Sequence, residues 1–234
     1  MMELLTIENL TVHFGDTPVL QGVNLTVLQG DCVGITGQNG SGKSTLLKTV
    51  CRKIRENSGS IIFAGQNLHA IAPHTLVQGW QSAIAPHARM GISTLWQSSL
   101  VFPSLTVEEH LILALSHQTK THKHAALAAV YKEFDARGLA TLRKKIGGNL
   151  SGGQRQLLSL AILWAQGNPF WLLDEPFAGL DKNSADFTEQ WLKQKNTEGV
   201  TMLIVAHEWV RVQALCPIVW QMVEGKLEQN MALY

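Results

Sequence analysis

The segment Gly37-Gln-Asn-Gly-Ser-Gly-Lys-Ser-Thr45 lies between a short apolar run, Cys32-Val-Gly-Ile-Thr36, and a stretch with helical spacing, Thr45-Leu-Leu-Lys-Thr-Val50. Strand, glycine loop, helix leaves the chain few ways to fold. The glycines at 37, 40 and 42 let successive backbone N–H groups turn toward one point. The helix N-terminus adds a field that favours an anion there. Lys43 contributes a mobile positive charge and Ser44 a hydroxyl suited to magnesium, with Asn39, Ser41 and Thr45 completing the loop. In this context GxxxxGK[ST] predicts a cradle for nucleotide phosphates.

Four further stretches carry chemistry. Phe170-Trp-Leu-Leu-Asp-Glu175 is an apolar strand ending in two carboxylates. Asp174 at the strand tip suits a magnesium–water shell, and Glu175 is placed to polarise an attacking water. His207 follows the apolar strand Val200 to Val205. A lone histidine at a strand end is usually structural, but this position also suits contact with a γ-phosphate. Gln97 follows the run Ile92 to Trp96, where it is either a nucleotide sensor or an exposed polar residue. Leu150-Ser-Gly-Gly-Gln154 is a second glycine-rich loop of a different type, opening a long helix that runs to Trp164.

Strands alternating with helices predict an α/β fold with a largely parallel sheet. Residues 3–35 read as short strands with turns at Gly15-Asp16 and Gln29-Gly30-Asp31, and Ser60 to Ala64 as another strand. Residues 105–147 read as an inserted helical lobe, with helices over Val107 to Leu115 and Ala125 to Phe134 and a polar linker, Ser116 to His124, between them. Asp186 to Lys195 reads as a helix, and Ile218 to Leu227 as a terminal hairpin through Glu224-Gly225. Ala70-Ile-Ala-Pro-His74 recurs as Ala83-Ile-Ala-Pro-His87, by chance or by a small duplication.

The 234 residues fit one domain, and 45% hydrophobic content is enough for a sizeable core. A net charge of +1 gives no reason to expect a nucleic-acid surface. Cys32, Cys51 and Cys216 form no CxxC pair, which points to a reduced, intracellular protein without a thiolate zinc site. His117, His122 and His124 read as a polar linker more readily than as a metal site. The N-terminus is not a signal peptide, and no stretch has the length of a membrane span.

Over essentially its full length the chain resembles the nucleotide-binding subunit of ABC transporters. The loop Gly37 to Thr45, the signature Leu150 to Gln154, the Leu-Leu-Asp-Glu strand, Ala178-Gly-Leu-Asp181 and His207 stand in that family's order. The resemblance implies a P-loop NTPase (RecA-like), mainly parallel sheet core with an N-terminal antiparallel β subdomain and an inserted α-helical subdomain. The division would run 1–96, 97–150 and 151–234. It implies ATP and Mg2+ as ligands, with Phe14 stacking on adenine. Gln97 would link magnesium and γ-phosphate to the transmembrane partner. Lys43, Gln97, Glu175 and His207 would serve catalysis, and Ser44, Gln97 and Asp174 the metal. Ser151, Gly152, Gly153 and Gln154 would cover the nucleotide of a partner subunit, and Asp181 would communicate between the two sites. The implied partners are transmembrane permease subunits and a second ABC ATPase, the same or related, at the cytoplasmic face of the inner membrane.

Three stretches, Gly147 to Gln154, Phe102 to His110 and Asp174 to Asp181, are similar to the ATPases of branched-chain amino acid and urea importers and of lipopolysaccharide export. There are departures from the family pattern. Ala161-Ile-Leu-Trp164 replaces an Ala-Arg-Ala-Leu-like stretch, Lys182 stands where a proline often follows Asp181, and Ala70 to His87, with Trp80, is longer than usual. The short C-terminal end predicts no added regulatory domain. A soluble single-domain ABC ATPase, as in iron–sulfur cluster assembly, is the competing expectation. A P-loop kinase would leave Leu150 to Gln154 without a purpose.

Overall fold

The computed structural model describes residues 2–70, 91–97, 101–116 and 120–229. Both copies of the Ala-Ile-Ala-Pro-His repeat, Trp80 and His117 lie wholly or mainly outside these residues.

Two strands of twelve residues open the chain, β1 (Glu3–Phe14) and β2 (Thr17–Leu28). The turns at Gly15-Asp16 and Gln29-Gly30 fall where the sequence places them, but the strands are longer than expected. Leu5, Ile7, Leu10 and Val12 on β1, and Leu20, Val23, Leu25 and Val27 on β2, are buried, giving the hairpin one apolar face. With β4 (Ser58–Phe63) and β5 (Gln66–Asn67) it forms an antiparallel sheet in the order β2-β1-β4-β5.

The second sheet is built on β3 (Cys32–Thr36), β6 (Ile92–Leu95), β7 (Phe170–Asp174), β8 (Thr201–Val205), β9 (Ile218–Val223) and β10 (Lys226–Gln229), in the order β10-β9-β3-β8-β7-β6. All neighbours are parallel except the β9–β10 hairpin. β3, β7 and β8 are buried at every position, as strands covered on both faces must be. Alternation divides each strand between two cores. Val33, Ile35, Phe170, Leu172, Leu203 and Val205 pack with the antiparallel sheet and α1 (Lys43–Val50). Cys32, Trp171, Leu173, Met202 and Ile204 pack with the helices on the other side.

Those helices are α2 (Val107–Ala114), α3 (Lys120–Glu133), α4 (Gly152–Ala165), α5 (Lys182–Thr197) and α6 (Trp209–Leu215). α3 starts at Lys120, inside the stretch expected to be a linker, and carries His122 and His124. No group of three metal-ligating side chains forms among the described residues. α5 begins at Lys182 because Asp181 caps it, accepting the Ser184 N–H at 3.0 Å. Trp191 on α5 joins lobe to core. Its ring lies 5.2 Å from that of Phe134 and 5.4 Å from that of Trp171, and its Nε1 donates to Glu133 Oε1 at 2.9 Å. Cys32 and Cys216, distant in sequence, are buried neighbours with Sγ atoms 3.1 Å apart. No helix among the described residues is long and apolar enough to cross a membrane.

Candidate active site

Between β3 and α1 the glycine loop is compact because side chains are missing from it. A Cβ on Gly37, at φ +150°, would stand 2.4 Å from the Met222 carbonyl oxygen, and one on Gly42, at φ +112°, 2.9 Å from the Val19 carbonyl oxygen. The β9–β10 turn braces the loop from outside. Gly225 N–H donates to the Ser41 carbonyl at 3.0 Å, while Gln21 N–H reaches the Gly225 carbonyl at 2.9 Å and Gln21 Nε2 the Glu224 carbonyl at 2.8 Å. No residue pattern signals this buttress, since it joins segments about two hundred positions apart.

Lys43 Nζ donates to the carbonyls of Gly37 and Gln38 at 2.8 and 2.9 Å. The residue is only 5% exposed. Burial pulls its pKa below the ordinary lysine value, and the nearby Glu175 and Asp174 charges act in the opposite direction.

The carboxylates come from the end of β7. Asp174, 4% exposed, accepts the Ser44 hydroxyl at 2.8 Å. Burial raises its pKa, the Ser44 bond lowers it, and the Glu175 charge raises it again, with a net upward shift. Asp174 pairs with Val205 in the parallel register, so Glu175 and His207 emerge side by side beyond the sheet. Glu175 is a non-glycine residue at φ +53°, and its N–H donates to the Val205 carbonyl at 2.8 Å. Its Oε2 lies 2.7 Å from His207 Nδ1 and also accepts the His207 backbone N–H at 3.2 Å.

Asn39, Gly40, Gly42, Lys43, Ser44, Thr45, Gln97, Glu175 and His207 line one cavity of about 340 Å³. Asp174 reaches it through Ser44, and Gly37 through Lys43. The Ser41 hydroxyl is buried in the loop without a hydrogen-bond partner. Phe14, at the tip of the β1–β2 hairpin and 53% exposed, is not part of this lining.

The second glycine loop faces elsewhere. Ser151 caps α4, accepting the Gln154 N–H at 3.3 Å, while Gln154 Oε1 accepts the Ser151 N–H at 3.1 Å. Lys145 Nζ holds the same oxygen at 2.9 Å. Asp181 Oδ2 accepts the Ser184 hydroxyl at 2.7 Å, and a Cβ on Gly153 would stand 3.2 Å from that hydroxyl oxygen. Ser151, Gly152, Gly153, Gln154 and Asp181 line a cavity of about 480 Å³ that shares no lining residue with the first. Gln156, Arg137 and Ser184 also line it. Sequence reading passed over these three.

The family model described as ABC transporter matches residues 20–178. The chain is 29% identical to the lipopolysaccharide export system ATP-binding protein LptB of Haemophilus influenzae, over 97% of this chain and 89% of that one. It is 31% identical to the glutamate/glutamine/aspartate/asparagine transport ATP-binding protein BztD of Rhodobacter capsulatus, over 96% and 82%. It spans only 61% of the spermidine/putrescine import ATP-binding protein PotA of Mesoplasma florum, at 30% identity over 97% of this chain. Among solved structures, the dimeric post-hydrolysis state of the ATP-binding cassette MJ0796 bound to ADP and Pi superposes with a TM-score of 0.79 at 21% identity, covering 97% of each chain. A nucleotide-free ATP-binding cassette from an ABC transporter also gives 0.79, at 23% identity, over 97% of this chain and 90% of that one. The chain belongs to the ABC transporter family, as an ATP-binding, ATP-hydrolysing subunit.

Proposed function

We propose that this chain hydrolyses Mg-ATP as one half of an ATPase dimer that drives a transmembrane permease from the cytoplasmic face of the membrane. The observation that carries the reading is the convergence of Lys43, Ser44, Gln97, Glu175 and His207 on one cavity while Ser151, Gly153 and Asp181 line another. A chain built this way presents its signature loop away from its own nucleotide, so the loop serves a second subunit. The names of the relatives are those of transport subunits, which favours transport over assembly of a cytosolic complex.

ATP phosphates enter the loop 37–45. Lys43, now bonded to two carbonyls of its own loop, supplies its charge to the phosphate oxygens. The Ser44 hydroxyl, the Asp174 carboxylate and the Gln97 amide oxygen are hard oxygen donors of the kind magnesium takes. The ion supplies positive charge against the phosphate oxygens when bound. Glu175 uses Oε2 to hold His207 and keeps Oε1 to accept a proton from the attacking water. His207 donates through Nδ1 to Glu175 and lines the same cavity, beside the place the γ-phosphate takes. Phe14 offers its exposed ring to adenine. Residues 1–96, 97–150 and 151–234 act as β and phosphate-loop part, helical part and signature part of one domain.

Glu175→Gln tests the reading. It keeps size and hydrogen bonding but removes the base. The expected outcome is a kcat lower by about 100-fold to 10,000-fold, with ATP binding retained. Wild-type turnover by this variant would move the base elsewhere.

A further inference from the structure

Gln156 links the second cavity to the residue that follows Glu175, and Glu175 lines the first. It lies on α4, four residues past Gly152, and lines the signature cavity with Ser151, Gly153 and Asp181. Its Nε2 donates to the carbonyl of Pro176 at 2.8 Å. Pro176 is buried and directly follows Glu175, which is held at φ +53°. An L-residue does not hold that conformation without outside help. The help is visible on each side of Glu175. Its own N–H is tied to the Val205 carbonyl, its carbonyl accepts the Ala178 N–H at 3.1 Å, and its carboxylate is tied to His207. Pro176 has no N–H to offer, so its carbonyl is the first main-chain group past Glu175 that a donor from another element can grip.

We propose that Gln156 is a positioning residue for hydrolysis. It fixes the main chain beyond Glu175 so that the carboxylate faces the nucleotide cavity, and it ties that orientation to the helix that begins at the signature loop. A partner's nucleotide seated on Ser151 to Gly153 moves α4, and α4 pulls on Pro176. This chain's base thereby responds to the other site. Without the amide, a buried carbonyl loses its donor and Glu175 relaxes toward negative φ, turning its carboxylate away. The inference rests on the reading of Glu175 as the base and of residues 151–154 as the loop that covers a partner's nucleotide.

Two substitutions test it in the full chain with Mg-ATP. Gln156→Met keeps length and volume but has no N–H. Gln156→Lys returns a donor on a long stem. The expected result for Gln156→Met is a kcat lower by about tenfold, as for loss of one interaction made in the transition state, with ATP KM unchanged and the thermal midpoint slightly lower because a buried acceptor is left unpaired. Gln156→Lys recovers most of the loss. A Gln156→Met enzyme with wild-type kcat overturns the proposal. So does a rise in KM at constant kcat, or a kcat that falls with the thermal midpoint in both variants. Glu175→Gln is measured beside them. If it turns over normally, the base reading and this inference fail together. If it is inactive while Gln156→Met is unimpaired, only the role of Gln156 fails.

Discussion

His110 is 2% exposed, and both its ring nitrogens are committed to main chain. Nε2 accepts the Phe102 N–H at 2.8 Å, and Nδ1 donates to the Thr106 carbonyl at 2.7 Å. That pattern fixes the neutral tautomer with the proton on Nδ1. A second proton would have to go on Nε2, where the Phe102 N–H already points. Burial accordingly holds the His110 pKa below the ordinary histidine value, against the Thr106 hydrogen bond and the Glu109 charge, which both raise it. The sign of the linkage follows. The folded chain binds fewer protons here than the unfolded chain, so His110 contributes stability above the unfolded pKa of about 6.5. That contribution is lost as pH falls from there through the folded value. Urea denaturation from pH 7.5 down to pH 5 is expected to show stability falling with pH in the wild-type chain and falling less steeply in His110→Gln. Parallel curves for the two would assign the acid sensitivity to another group. The ring ties Phe102 to Thr106, directly before α2. Sequence reading placed this segment by its family wording and gave His110 no role, because its partners are backbone groups that no residue pattern advertises.

Element packing holds α6, which begins two residues past His207, against the sheet. The helix lies against β3 at Gly34, where a Cβ would stand 2.2 Å from Val212 Cγ1 and 3.3 Å from Cys216 Sγ. Contact that close leaves room for nothing larger than hydrogen. Gly34→Ala must push α6 off the sheet, and overpacking of this kind costs about 1–3 kcal/mol. The expected result is a lower thermal midpoint together with weaker turnover, since His207 and Glu175 separate as α6 moves. An alanine variant with unchanged midpoint would mean that α6 shifts freely. Strands and helices of this layer were legible in the sequence where a single period ran uninterrupted. β3, β7 and β8 are unbroken apolar runs, and α4 declares its start through Ser151 and Gln154. Boundaries failed where a cap decided them. α5 starts at Lys182 because Asp181 caps it through a side-chain bond to Ser184, four residues before the expected start at Asp186. α3 extends through Lys120 to His124, whose polarity suggested a linker. Contacts between distant segments were not legible at all. The Gly225 turn under Ser41 and the grip of Gln156 on Pro176 exist only once the sheet order brings their elements together.

At the scale of the molecule, the first cavity holds phosphate loop, carboxylates and histidine, and the second holds signature loop and Asp181, with no shared lining. Five motifs in order were enough to name the family from sequence. Their partition into two separate surfaces is a property of the folded chain. On the proposed function, a complete site takes the first cavity of one subunit and the second cavity of another. Complementation follows from that geometry. Gly153→Asp places a carboxylate in the signature loop and spoils the second cavity, while Glu175→Gln spoils the first. Each variant alone lacks a complete site in its homodimer. In a mixed dimer, the intact Glu175 of one chain faces the intact signature loop of the other, and one complete site forms. Random pairing makes about half of all dimers mixed, each with one complete site of two, so an equimolar mixture should recover about a quarter of wild-type turnover. Recovery should vanish on dilution below the dimerisation constant. An active single variant would break the partition argued here. Absence of recovery at every ratio, with both variants inactive alone, would assign the second signature loop to a different ATPase chain.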